Sequence, residues 1–541
     1  MSGEPTHEGE AASGISRRQL IKRGVAGAFA LSSAGWLNGL ADSAHAAVEA
    51  ATPTRGGTMT VGMITGGAAE TLNPGLAISS VDTLRCHQLY DTLFQVAPDI
   101  KTLLPRLATS AEHNAKATLW TFHLRDGVLW HDGKPFTADD LVWNFKSWGS
   151  TNNYNHALFA GTVDFKGVRK RDRLTVEVPL LKPVAQFPTV FAFQEPFIIQ
   201  NGATNATLRK HPVGTGPFMF ETFVPGKQSV FKRNPHYWEN NGKPYVDTVV
   251  INSSFSDENA RLNALLGRQI DVSSWIPPAI AATQRSSNQL KLLTSHSSNP
   301  YCILMRVDKG AFADVRVRQA LKLIADRSAL VKQALAGFGV PANDLCGAGC
   351  AYYLDLPVPK QDIAKAKSLL KAAGQENLSF TLPTSNAVAG FVEGATVFAQ
   401  QCAAAGVKVS VNQVPASTYY TSAGGFLTRP ICMDNGTSNP SLTLLYQSWY
   451  TRDAPYNETW WGHQKGGAAV EKLIDEAIAA TDPGKAADLW REVQLQQAHQ
   501  GGTISYANAD YIDACAPNVN GLKTTPVGNL NFGRLLDGWI A

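Results

Sequence analysis

The stretch Thr118-Leu119-Trp120-Thr121-Phe122-His123-Leu124 alternates apolar and polar side chains with a period of two, the pattern of a strand with one face in a core and one in water. Arg125-Asp126-Gly127 supplies a turn, a second strand follows at once, and Thr137-Ala138-Asp139-Asp140 opens a capped helix carrying Leu141, Val142, Phe145 and Trp148. This switch between strand and helix periodicity recurs along the chain without strict alternation. Gly56 to Gly62 reads as a short strand bounded by glycines, and Val81 to Val96 as a helix. Further on, helices are predicted over Asp314 to Ala325, Arg327 to Ala336, Asp362 to Ala373 and Ala469 to Ala480, the third stopped by Gly374 and the last broken by Asp482-Pro483 before another helix. A mixed pattern of this kind predicts an α/β architecture in two lobes. The Ser, Asn and Pro cluster from Ser295 to Pro300 reads as the crossing between them, and the strand-like tail from Ser505 to Ala541 as a return to the first lobe.

The 541 residues are enough for more than one packed core, and the net charge of +4 comes from interspersed, not clustered, basic residues, which gives no case for nucleic acid. The first residues differ from the rest. Ser16-Arg17-Arg18-Gln19-Leu20 precedes a weakly apolar, Ala- and Gly-rich run from Gly24 to Ala41 and then Ala44-His45-Ala46, so residues 1–46 read as a twin-arginine signal peptide cleaved after Ala46. The run is too interrupted by polar residues for a membrane span, and no cysteine stands at the cleavage site to take a lipid. A periplasmic chain without stable membrane insertion is expected. Its seven cysteines suit an oxidising compartment in which some pair; Cys346-Gly-Ala-Gly-Cys350 is the close pair, either a local disulfide or two reduced thiols, and the others read as core thiols.

Catalytic constellations are missing: no phosphate loop, no His-Glu-x-x-His, no Gly-x-Ser-x-Gly and no Cys-x-x-Cys. Val213-Gly214-Thr215-Gly216-Pro217 reads as a tight structural turn, and His131-Asp132-Gly133 as a hairpin turn with its polar residues in solvent. Neither catalytic residues, nor metal ligands, nor a cofactor are predicted.

Four blocks carry a resemblance to a known family. They are Phe122 to Asp140, with Trp130-His131-Asp132-Gly133-Lys134-Pro135-Phe136; Pro212 to Pro217, followed by Lys232-Arg233-Asn234-Pro235-His236-Tyr237-Trp238 and Gly242-Lys243-Pro244-Tyr245; Asp314 to Leu321, with Ile324-Ala325-Asp326-Arg327; and Glu471 to Asp475, running through Thr481-Asp482-Pro483 to Asn518 to Leu522. In this order they resemble the extracytoplasmic solute-binding proteins of oligopeptide, dipeptide and nickel ABC importers, family 5. The resemblance implies a two-lobed periplasmic-binding-protein fold, type II-like and of cluster C, with an extra subdomain in the first lobe. Residues 55–299 would form the first lobe, 300–504 the second, and 505–541 the return. It implies a monomer that captures a small molecule or peptide in the cleft, closes about a hinge and delivers the solute to ABC transporter permease subunits, without catalysis.

The resemblance also names site residues. Met433-Asp434-Asn435-Gly436 is similar to the stretch with which peptide-binding members hold a ligand's α-ammonium group, so Asp434 is the candidate for that salt bridge, with an ordinary loop cap as the alternative. Tyr301 and Arg306 lie where the family's second lobe begins with a cleft-lining strand; Arg306 would grip a carboxylate or pair with Asp308 or Asp314. Trp275 and Trp449 would wall the pocket or pack in a core. Within the same fold a metal chelate, an opine or a sugar is the rival ligand, and a periplasmic enzyme or a ligand sensor the rival class.

Overall fold

The computed structural model describes residues 52–541 except 78, 154, 194, 195, 240 and 437, and the side chain of residue 193; the expected signal peptide, residues 1–46, lies outside the described residues. A nine-stranded mixed sheet organises the molecule. Its strands in chain order are β1 (Thr58–Ile64), β2 (Phe218–Val224), β3 (Gln228–Arg233), β4 (Thr248–Phe255), β5 (Val272–Ser273), β6 (Lys291–Met305), β7 (Gly339–Pro341), β8 (Ile431–Asn435) and β9 (Thr503–Cys515). Across the sheet they run β8-β6-β9-β5-β1-β4-β3-β2, with β7 also on β9. The strand β1 lies parallel to both its neighbours, β4 and β5, whereas the long pair β6 and β9 is antiparallel.

That pair changes register between Ser295 and Asn299 and again between Tyr301 and Cys302. The Ser, Asn and Pro cluster therefore falls inside one 15-residue strand, as an irregularity of the ladder instead of a loop. The change in burial is abrupt: β6 is mixed up to His296 and buried from Ser297 to Met305. Beyond β9 the tail packs on early residues, with Gly533 O accepting from Gln88 Nε2 at 3.0 Å and Arg534 paired with Glu239 at 3.2 Å.

The alternating stretch forms the strand Leu119–Leu124 of a separate four-stranded antiparallel sheet, with Trp120, Phe122 and Leu124 buried. The helix after it, Ala138–Trp148, starts as its sequence requires: Asp140 Oδ2 accepts from the Thr137 N–H at 2.8 Å, closing a capping box. Later helices run Val315–Ile324, Arg327–Ala334, Ile363–Ala372, Gly467–Ala479 and Pro483–Gln500, and Asp314, Asp326, Asp362 and Asp482 each cap one of them. The helix expected over Val81 to Val96 is shorter, Ser80–Leu89, because Tyr90 leaves it in an extended conformation and Phe94–Val96 becomes a strand.

A second correction concerns His131. It is not a solvent-facing turn residue: its Nδ1 accepts from the Gly214 N–H at 3.1 Å and its Nε2 donates to the Gly216 carbonyl at 3.0 Å. The ring thereby staples the Val213 to Pro217 turn. That turn crosses the end of Ser80–Leu89 so closely that a Cβ on Gly214 would stand 1.7 Å from the Leu89 carbonyl oxygen, and the Gly216 N–H donates to that same oxygen at 2.9 Å. Glycine is required here by contact, not by backbone angle.

Both ring nitrogens are engaged in the neutral tautomer, and burial holds the His131 imidazole down to about 4. An imidazole depressed in the folded state stabilises above its unfolded value and loses that contribution on acidification. Stability measured by urea unfolding should therefore fall between pH 6.5 and about 4 by on the order of 1–3 kcal/mol. His131→Gln should lower stability at neutral pH and flatten this slope.

Candidate ligand-binding site

Strand pairing sets which side chains share a face. Asp434 stands opposite Cys302 on β6, which stands opposite Ser505 on β9, and Cys432, Leu304 and Thr503 form the next row. Ile431, Met433, Tyr301, Ile303 and Met305 belong to the opposite face and pack in a separate hydrophobic cluster. Asp434 is thus fixed by a strand, with little freedom to move.

It is also almost fully buried, at 7% exposure. Its Oδ1 accepts from Tyr420 Oη at 3.0 Å. On the same face Cys432 Sγ donates to Glu458 Oε2 at 2.5 Å, while Glu458 Oε1 is buried without a partner among the described residues. Burial raises the carboxyl pKa of both acids, and the charge of Asp434 raises Glu458 further. The cation near them is Arg429, which opposes both shifts, but its guanidinium is held by the carbonyls of Tyr419 and Gly424 and lies over the Tyr419 ring at 4.0 Å. Two buried acids thus share one arginine, whose Nε and Nη2 are engaged by backbone carbonyls and whose Nη1 is buried without a hydrogen-bond partner among the described residues. A bound cation would relieve that imbalance.

A cavity of about 330 Å³ lies near the continuation of the Asp434 segment. Ser438 contributes to its wall, and the Ser438 N–H donates to Tyr511 Oη at 3.2 Å. Trp275, Tyr511, Phe197, Phe532 and His87 give the lining a strongly aromatic character. Asp434 itself is not part of this lining.

Of the residues expected from sequence, Trp275 lines the cavity, is 47% exposed and meets Tyr511 edge to face at 6.1 Å. Trp449 is half-buried against the chain just after Asp434: a Cβ on Gly436 would lie 2.7 Å from its ring. Tyr301 is buried on the face away from Asp434, its hydroxyl donating to Ala389 O at 3.2 Å. Arg306 takes the ion-pair alternative, with Nε and Nη2 on Asp308 at 2.8 and 2.6 Å and its guanidinium 3.8 Å from the Trp460 ring centroid. Cys346 and Cys350 are free, the reduced alternative of the close pair, as are Cys302, Cys402, Cys432 and Cys515, against the expectation that some pair. The two sulfurs face different neighbours: Cys346 Sγ is 4.0 Å from Cys302 Sγ and 3.5 Å from Tyr450 Oη, whereas Cys350 Sγ turns to the Ala351 carbonyl at 3.6 Å. Sequence reading missed Glu458, Arg429 and Tyr420, which carry no motif and meet Asp434 only through folding.

A buried acid with a raised pKa stabilises the fold most at low pH and loses that contribution as pH climbs past its unfolded value, near 4.5 for Glu458. Glu458→Gln, which keeps the shape and cannot ionise, should match the wild type at pH 4.5 and exceed it by about 1–3 kcal/mol in alkaline solution, read by urea denaturation.

Among the described residues no helix is long and apolar enough to cross a membrane. The profile described as "Bacterial extracellular solute-binding proteins, family 5 Middle" matches residues 102–467. The dipeptide-binding protein of Escherichia coli K12 is 27% identical over 504 residues, covering 86% of this chain and 92% of the relative. Heme-binding protein A of Haemophilus influenzae is 26% identical over 491 residues, covering 83% and 87%. The periplasmic binding protein DppA of Helicobacter pylori, solved in complex with the peptide STSA, superposes with a TM-score of 0.74 at 20% identity, covering 90% of this chain and 98% of that one. The relatives are binding proteins, and the superposition shows the two-lobed α/β fold. The chain belongs to family 5 of the bacterial extracellular solute-binding proteins, the substrate-binding components of ABC importers.

Proposed function

We propose that the protein captures a small solute bearing an ammonium group, a peptide or an amino-acid derivative, and delivers it to its permease without chemical change. The observation that carries this reading is the buried, under-compensated pair of Asp434 on β8 and Glu458, which packs on the same face through Cys432. A cationic group brought to Asp434 makes a charge-assisted hydrogen bond in a low-dielectric setting, and a ligand lacking the cation leaves the imbalance in place. The dipeptide-binding relative and the peptide complex of the structural neighbour support the same solute class.

Residues 55–299 and 300–504 act as the two lobes and 505–541 returns to the first, with the register changes of β6 and β9 at Ser295 to Cys302 as the flexing point. The protein works as a monomer in the periplasm, reached by the twin-arginine route that Arg17-Arg18 suggests.

The test is calorimetric titration of the ligand-stripped protein with trialanine and with its N-acetyl derivative. Trialanine should bind and the acetylated peptide should bind at least ~30-fold more weakly; Asp434→Asn should lose a similar factor for trialanine alone. Equal affinity of wild type and Asp434→Asn for trialanine would falsify the ammonium assignment.

A further inference from the structure

Trp275 holds its half-exposed ring at the cavity from a left-handed backbone, φ +61°. A bulky side chain at such an angle is strained, and glycine would relieve it. The segment that brings Phe532 to the lining repeats the oddity: Leu530, Asn531 and Phe532 have φ values of +48°, +51° and +59°. Such strain persists only where surrounding contacts over-determine it.

Those contacts converge on one side chain. Asp513, fully buried on β9, accepts from Ser274 Oγ at 2.7 Å and from the Trp275 N–H at 3.1 Å. It also accepts from Asn529 Nδ2 at 2.9 Å, from the Leu530 N–H at 2.8 Å and from Thr524 Oγ1. From the other side the buried Arg261 donates to the carbonyls of Ser274 at 2.6 Å and Trp275 at 2.9 Å. One carboxylate thus joins both strained segments, Ser274-Trp275 and Asn529 to Phe532, of which Ser274, Trp275, Asn529 and Phe532 line the cavity. Asn529 is 6% exposed and gives Nδ2 to Asp513 and to the Ile512 carbonyl at 3.1 Å; its Oδ1 is buried without a partner among the described residues.

We infer that Asp513 is a positioning residue for solute recognition: it fixes Trp275 and Phe532 as an aromatic platform for an apolar or aromatic side chain of the solute and leaves Asn529 Oδ1 to accept from a solute N–H. This rests on the solute-capture reading above and extends it to the selectivity of the cavity. Neither the platform nor the acceptor requires Asp434, so the two assignments can fail separately.

The experiment measures retention of trialanine and of Ala-Phe-Ala by immobilised full-length protein, with the thermal midpoint of each unliganded variant. Wild type should prefer Ala-Phe-Ala. Trp275→Gly should keep or raise the midpoint, because glycine relieves the left-handed strain, yet lose at least ~10-fold in retention of Ala-Phe-Ala and most of the preference. Asn529→Ala should weaken both peptides alike. Asp513→Asn should remove the preference as Trp275→Gly does, an effect that mere loss of folded protein would not produce; if it does not fold, the other two variants carry the test. Trp275→Gly with an unchanged preference overturns the platform, and Asn529→Ala with unchanged retention overturns the acceptor. A wild type that retains neither peptide rejects the solute reading, and this inference with it.

Discussion

The antiparallel ladder between Lys291–Met305 and Thr503–Cys515 is the constraint on which the rest of the molecule hangs. It joins segments far apart in sequence, so the part of the chain between them must leave and come back to the same sheet. One end of the ladder carries the partner strand Ile431–Asn435 and with it Asp434; the other carries Val272–Ser273 and leads to the aromatic cavity. A break in register between the two ends lets one continuous ladder serve two differently buried neighbourhoods.

The two candidate regions hold two kinds of stored unfavourable energy. At Asp434 it is electrostatic: carboxyl groups are kept from water with less positive charge than they need. At Trp275 and Phe532 it is conformational: backbone angles that suit glycine are occupied by aromatic residues. The first sits on a strand and the second on loops tied to a strand by Asp513, so both inherit the rigidity of the sheet.

Much of the scaffold was legible because its signals are local. The Thr137 to Asp140 start was visible as a short pattern and became a capping box, and the helices predicted to begin at Asp314, Arg327 and Asp362 form within a residue of those starts. The family blocks prove to be packing devices: His131 staples Gly214 and Gly216, while Tyr237 and Trp238 donate to the same buried Asp91 that Arg106 neutralises. They report the fold and say little about the solute. Of the proposed site, sequence reading offered Asp434 and Trp275, where a motif or an aromatic stood out. Glu458, Asp513 and Asn529 have roles set by contacts between separate segments, which no local pattern encodes. His131 was misjudged for the same reason, since its partners lie eighty-odd residues away.

The burial of the cysteines has a consequence for biogenesis. Burial pushes the thiols of Cys302, Cys350, Cys402, Cys432 and Cys515 up, away from the reactive thiolate. With Cys302, Cys346, Cys350, Cys402, Cys432 and Cys515 packed as thiols, the native state is held by packing, hydrogen bonds and ion pairs. Its formation calls for no oxidase and no disulfide shuffling. Such a chain can reach its final structure in reducing surroundings and keep it unchanged on entering oxidising ones.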